Sequence, residues 1–227
     1  RICEHLIANT RPTGYAEFLS GGVEISEQAD CHCVLTPSAF AAPTRQCSIC
    51  GATYGMPLNS DVCPSCGSRA RHRQILDVLN QTGNPFDGRS ALACHANPVE
   101  MQAFLAKAAK VVNFDVRPLG YADLQMDIQS MDKVEDSSFD TFIAVHVLNH
   151  VFDDGKALME IHRILKLGGV ALVTIPCREN SPTEPCANVI EHYGPDALSR
   201  FGVGTYRRYG LEEAIDLFST FFTFEQY

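Results

Sequence analysis

From Ser90 onward, short apolar runs alternate with stretches of helical period, and that alternation limits the fold of this 227-residue chain more than any other feature. Apolar runs too short for a helix read as strands buried on both faces, and strands separated by amphipathic helices join as βαβ units into a mostly parallel sheet. The spacing predicts strands over residues 90–94, 110–114, 141–145, 170–175 and 222–226, with helices over 100–109, 153–165 and 211–220. Asp153 and Asp154 are capping residues for the second of these helices, and Gly168-Gly169 is expected to close it at positive φ. The fold class is therefore α/β, a doubly wound, mostly parallel, Rossmann-like sheet. A further helix over 71–80, with Ile75, Leu76, Val78 and Leu79 on its apolar side, is expected to dock the preceding segment onto this domain.

That preceding segment contains Cys47-Ser-Ile-Cys50-Gly51 and Cys63-Pro-Ser-Cys66-Gly67, two knuckles separated by twelve residues. A Cys-x-x-Cys turn ending in glycine offers two sulfurs from one tight loop, and two such turns supply the four thiolates of a closed, structural zinc site. Cys47, Cys50, Cys63 and Cys66 are the expected Zn²⁺ ligands, which leave no coordination position for a substrate. Disulfide or redox use is the competing reading, and iron accepts the same four thiolates. A second cluster, Cys31-His32-Cys33 with Cys3 and His5, is read as an incidental grouping, and Cys94, Cys177 and Cys186 as buried or loop thiols. The chain divides into an irregular segment (1–45), a ribbon with its docking helix (46–82) and the α/β domain (83–227).

Charge and hydropathy exclude some functions. A formal net charge of −9 gives no basic field for a nucleic-acid backbone, although Arg69, Arg71, His72 and Arg73 form a local basic cluster. No apolar run approaches the roughly 20 residues that span a bilayer, and no secretion signal opens the chain, so a cytoplasmic protein is expected. The chain begins at Arg1 and not at Met, as a trimmed or partial polypeptide does.

The most informative stretch runs Phe139-Asp140-Thr141-Phe142-Ile143-Ala144-Val145-His146-Val147-Leu148-Asn149-His150. It continues through Arg163-Ile164-Leu165-Lys166-Leu167-Gly168-Gly169 to Val170-Ala171-Leu172-Val173-Thr174-Ile175-Pro176. This wording resembles the fourth strand, following helix and fifth strand of class I S-adenosylmethionine-dependent methyltransferases, and the resemblance extends at lower strength over residues 90–227. With the cysteine pairs just upstream, running into Ser68-Arg69-Ala70-Arg71-His72-Arg73, the chain is similar to a bacterial subgroup that carries a four-cysteine zinc ribbon.

The resemblance implies S-adenosylmethionine as cofactor. Ligands of such sheets sit beyond the carboxyl ends of the strands, where strand order reverses. Ala93, Cys94, His95 and Asn97 of the first loop would face the cofactor, as would Val145 and His146 at the end of the fourth strand. Asp115 suits the ribose hydroxyls, with Val116 beside it, and Asp127-Ile128 resembles the adenine contact. The sequence departs from the family in three places. The first loop, Cys94-His95-Ala96-Asn97-Pro98, has no glycine where the family has Gly-x-Gly; Asn149 stands where Glu is common; and the chain stops near the sixth strand, short of the final antiparallel one.

Methyl transfer needs an aligned nucleophile and often a base, and His146 and His150, four apart, share one face if their segment is helical. They are candidate base and orienter, with packing or capping as the plainer alternative. After the fifth strand a long loop spans residues 177–194, and His192, Tyr193, Arg207 and Tyr209 are candidate contacts for an anionic or hydroxylated small-molecule substrate. The leading expectation is methyl transfer to an oxygen or nitrogen nucleophile of a small molecule. Two alternatives stay open: a cofactor-binding enzyme with other chemistry, and a degenerate fold whose ribbon binds a carrier or protein partner.

Overall fold

The computed structural model describes residues 2–3, 44–55, 61–186 and 204–223. Its centre is a five-stranded, all-parallel sheet of β4 (Ser90–Cys94), β5 (Lys110–Asp115), β6 (Leu124–Gln125), β7 (Phe139–Val145) and β8 (Leu165–Thr174). The spatial order is β6-β5-β4-β7-β8, so chain direction across the sheet reverses between β4 and β7. Four of the expected strands are thus present. Of the fifth, Phe222 and Thr223 lie outside any strand, and residues 224–226 are not among those described.

The period-2 alternation within each strand sorts its residues to two cores. Leu92, Phe114, Phe142 and Val173 face α3 (Asp154–Ile164) and α4 (Leu211–Ser219), meeting Leu158, Ile161, Ala214 and Phe218. Ala91, Ala93, Ile143, Val145 and Leu172 face the other way, onto Ile75 and Leu79 of α1 (Ala70–Thr82) and onto Phe104 and Leu105. The result is a doubly wound sheet with helices on both faces, as the alternation required. Ile75 and Leu79 are almost fully buried, each contributing roughly 1.5–3 kcal/mol, and they join α1 to the sheet.

Three elements differ from expectation. The helix after β4 is the short α2 (Pro98–Ala103), capped by Asn97 and begun by proline, because Phe104 and Leu105 leave helical period to enter the core. Gly168-Gly169 does not end α3, which stops at Ile164 and passes directly into β8. The pair instead forms an irregularity in the β7–β8 ladder between Phe139 and Thr141. Gly168 has φ +77°, and a Cβ on Gly169 would lie 2.8 Å from Lys166 O. A third difference is a small sheet of β1 (Ile2–Cys3), β9 (Cys177–Arg178), β11 (Arg207–Gly210) and β10 (Glu184–Pro185) in that order. It pairs the start of the chain with the segment that follows β8. A hairpin of β2 (Thr44–Gln46) and β3 (Thr53–Gly55) carries the first cysteine knuckle.

Candidate active site and four-cysteine cluster

The four thiols meet. Their sulfurs all lie within 4.8 Å of one another, with Cys47–Cys66 at 3.8 Å and Cys50–Cys63 at 3.7 Å. Sulfurs around a tetrahedral ion with bonds of about 2.3 Å stand about 3.8 Å apart, whereas a disulfide needs about 2.05 Å. Both knuckles are built alike: Gly51 and Gly67 take φ +74°, and their amides donate to Cys47 O and Cys63 O. Burial raises the Cys47 thiol, but the Ser68 hydroxyl and the backbone amides of Cys50 and Ile49 bring it down to about 6. Against the Ala52 amide, burial and the neighbouring thiols push Cys50 up to about 11. Four sulfurs this close share their charge poorly without a cation among them.

At the sheet's carboxyl edge, β4 and β7 are each followed by a histidine in the left-handed region, His95 with φ +57° and His146 with φ +56°. Each extends the ladder by one bond, from His95 N to Phe114 O and from His146 N to Thr174 O, both 2.8 Å. Non-glycine residues in this region carry roughly 1–3 kcal/mol of strain, which the flanking strands sustain. Both histidines flank the reversal of strand order. His146 and His150 are not on one α-helical face, because residues Leu148–His150 form a single 3-10 turn. His150 Nδ1 donates to Gly204 O at 2.9 Å, so its Nε2 is the acceptor for Asn149 Nδ2 at 3.1 Å. With both ring nitrogens engaged, His150 ties the turn to the segment before β11 and has no lone pair for a substrate proton.

Asp115 ends β5 and is 3% exposed. Burial raises its carboxyl, but hydrogen bonds from the Arg117 side chain and backbone, with the charge of His95, outweigh burial and hold it below the usual range. Its Oδ1 accepts from Arg117 N at 2.8 Å and Nε at 3.0 Å; its Oδ2 meets His95 Nδ1 at 2.5 Å and Arg117 Nη2 at 3.2 Å. Val116 beside it is 49% exposed. Asp127 accepts from the amide and side chain of Gln129, and Ile128 is buried in the core. Ala93, Cys94 and Val145 are buried strand ends. Burial and the Asp115 charge push the Cys94 thiol well up, which removes it as a nucleophile. Asn97 serves as the N-cap of α2. Two buried polar atoms near this edge, Asn149 Oδ1 and Thr174 Oγ1, have no partner among the described residues.

Of the expected substrate contacts, His192 and Tyr193 lie outside the described residues, as do His5, Cys31, His32 and Cys33 of the second cysteine–histidine cluster. Tyr209 is 2% exposed, and its hydroxyl donates to Asp154 Oδ2 at 2.7 Å. Arg207 pairs with the same oxygen at 2.8 Å and donates to Phe152 O. Both side chains therefore anchor β11 to the start of α3. Beside them is a hollow of about 410 Å³ lined by Phe152, Thr183, Pro185, Cys186, Tyr206 and Arg207. Phe152 and Tyr206 meet edge to face there, 5.6 Å between centroids, and remain accessible. Neither aromatic was singled out in the sequence, where nothing but their neighbourhood to Asp153 and Arg207 marked them. Arg117 was missed as well; only its place two residues beyond Asp115 marked it.

Residues 90–173 match the model of a family described as a methyltransferase domain. The matched segment is a methyltransferase domain, and the doubly wound sheet around it is the class I methyltransferase fold. No curated protein matches the chain. Among solved structures, the 1,6-didemethyltoxoflavin-N1-methyltransferase of Burkholderia thailandensis, crystallised with 1,6-didemethyltoxoflavin and S-adenosylhomocysteine, is similar with a TM-score of 0.51 and 17% identity. The match covers 66% of this chain and 66% of that one, just under two-thirds of its length. The YcgJ protein of Bacillus subtilis is 19% identical over 66% of this chain and 68% of that one, with a TM-score of 0.49. Among the described residues, no helix is long and apolar enough to cross a membrane.

Proposed function

We propose that the chain is an S-adenosylmethionine-dependent methyltransferase acting on an oxygen or nitrogen nucleophile of a small molecule, with zinc held by Cys47, Cys50, Cys63 and Cys66. The observation that carries this reading is Asp115: an ionised, buried carboxylate at the carboxyl end of β5, one strand from the reversal of the sheet. S-adenosylmethionine supplies an electrophilic methyl group on a sulfonium. Asp115 accepts the ribose hydroxyls, Val116 offers its exposed side chain to the adenine, and the loop from Cys94 to Asn97 borders the methionine portion. The carboxylate's acceptor positions are already filled, so a ribose must displace a partner, and the His95 side chain, 40% exposed, is the one free to swing away. His146 stands at the end of β7 as the group placed to orient or deprotonate an acceptor. The hollow beside Phe152 and Tyr206 receives that acceptor, its aromatic edges suiting a flat or apolar body.

The sulfur spacing supports zinc in the ribbon, and with four protein ligands the ion acts in folding and takes no part in the transfer. One observation favours a different reading, in which the fold binds no cofactor and the ribbon presents a surface to a partner: His95 and Arg117 already satisfy Asp115. Calorimetric titration with S-adenosylmethionine and S-adenosylhomocysteine separates the two. Micromolar binding of both, abolished in Asp115→Ala, is the expected result; a wild-type chain that binds neither leaves the partner-binding reading in its place.

A further inference from the structure

The glycine-free loop after β4 is held by side chains from other elements. Asn113, 2% exposed on β5, donates from Nδ2 to Ala96 O at 2.8 Å and accepts at Oδ1 from Ala96 N at 3.0 Å. Asn97 N donates to Glu100 Oε2 at 3.0 Å, while Asn97 Oδ1 caps Val99 N and Glu100 N. Glu100 is 3% exposed, and its other oxygen faces His72 Nε2 at 3.1 Å, on a ring that is also 3% exposed. His72 Nδ1 accepts from Arg69 N at 3.2 Å, so the neutral ring's proton is on Nε2, which faces the Glu100 carboxylate as an electrostatic contact without hydrogen-bond geometry. Arg69 follows Ser68, a fully buried residue whose hydroxyl lies 3.3 Å from Cys47 Sγ and 3.2 Å from Cys66 Sγ. Arg73 clamps the same joint, donating to Ser68 O at 2.8 Å and to Asp61 O at 2.7 Å.

A buried carboxylate is costly unless polar groups face it, and an apolar pair would fill the same volume at no such cost. Glu100 divides its oxygens between the cofactor loop and the helix that leaves the ribbon. A loop with glycines can reach its ligand through its own freedom; this one has little, and its shape must be set from outside.

We infer that His72 and Glu100 are positioning residues of the cofactor loop, and that they couple the four-cysteine ribbon to cofactor binding through Ser68, Arg69, His72, Glu100 and Asn97. The inference rests on the cofactor reading above and deepens it. Coupling of this kind is reciprocal: a ligand at the loop steadies the ribbon as much as the ribbon steadies the loop.

Three substitutions in the metal-loaded full chain test it. Glu100→Gln keeps the shape but removes the negative charge that faces His72 Nε2, leaving one carbonyl oxygen for Asn97 N. His72→Leu removes the polar N–H that faces Glu100, and His72→Gln restores one. Affinity for S-adenosylhomocysteine is expected to fall about tenfold in Glu100→Gln and His72→Leu and to stay within about threefold of wild type in His72→Gln. Zinc content is expected to be unchanged. Hydrogen exchange of the ligand-free proteins should quicken over residues 95–100 in the first two variants and not over residues 154–164. Wild-type affinity in His72→Leu and Glu100→Gln, or uniform loosening of both regions, overturns the positioning role and reduces the pair to packing. If the wild-type chain binds no S-adenosylhomocysteine, the cofactor reading falls and takes the positioning role with it. The exchange arm then decides alone whether ribbon and loop are coupled.

Discussion

His95 holds two properties that oppose each other. Its backbone sits at φ +57°, a conformation glycine takes freely, and its ring fills the last acceptor position of Asp115 at 2.5 Å. Replacing it with glycine removes the strain and opens the carboxylate, so His95→Gly is expected to tighten S-adenosylhomocysteine several-fold, by roughly 1 kcal/mol, in calorimetric titration. Weaker binding in that variant would instead make His95 a direct contact of the cofactor. The residues around this histidine show where sequence reading works and where it stops. Asp115 was readable because it ends a strand at the edge where ligands bind. Its saturation by His95 and Arg117 was not, since it depends on one rotamer meeting another across 20 and two residues of chain. His150 was readable as a site residue only on the assumption of a helix, and the 3-10 turn removes that assumption. Glu100 was within reach: Asn97-Pro98-Val99-Glu100 is an N-cap, a proline at the first helical position and a carboxylate three residues on. Its partner His72 lies 28 residues away by number, on a helix whose apolar face alone was visible.

At the scale of elements, long periodic segments were legible and short pairings were not. β4, β5, β7, α3 and α4 follow from period and length. The small sheet joins two-residue strands, one of them at the start of the chain and another 175 residues later, and no local pattern announces such a pairing. The entry into β8 was misplaced for a related reason. A glycine pair after a helix reads as its stop signal, while here it makes room for Lys166 O and Asp140 O beside a strand that has already begun. Asp140 completes that junction. Its Oδ2 accepts from Ser90 N at 3.0 Å and Oγ at 2.6 Å, and its Oδ1 pairs with Lys166 Nζ at 2.8 Å, so one side chain joins β4, β7 and β8. Lys166 first, then Ser90, hold this carboxyl well below its ordinary range. A depressed folded-state value means the ionised form is favoured by folding; its stabilisation is complete above the unfolded value near 3.8 and fades as pH falls through the folded one. Asp140→Asn is therefore expected to cost about 1 kcal/mol at neutral pH, mostly from Ser90 because the exposed lysine pair is screened. In denaturant titrations the gap from wild type should narrow below pH 4, and a gap that stays constant with pH would assign the loss to geometry and not to charge.

For the whole molecule, the two halves differ in what holds them. The α/β domain buries two extensive clusters on either face of its sheet, whereas the ribbon's own core is Cys47, Tyr54 and Cys63 with Ile49 and Cys66 beside them. So few apolar groups among its described residues leave the ribbon dependent, on the zinc reading, on its cross-link, and four sulfurs within 4.8 Å of one another are placed to be organised by a cation. α1 belongs to the other half in energy though it follows the ribbon in sequence, since Ile75 and Leu79 are buried against Phe86 and the sheet. Removing the metal with a chelator is thus expected to release protection of amides in residues 47–68 and, through Glu100, in 95–100. Residues 75–79 and the strands should keep theirs, and the main calorimetric transition should move by only a few degrees. A single cooperative collapse of both halves on chelation would show instead that the ribbon is an integral wall of the domain. In that case the ribbon's effect on the cofactor loop would be an effect on everything, and the discrete route through His72 and Glu100 would lose its meaning.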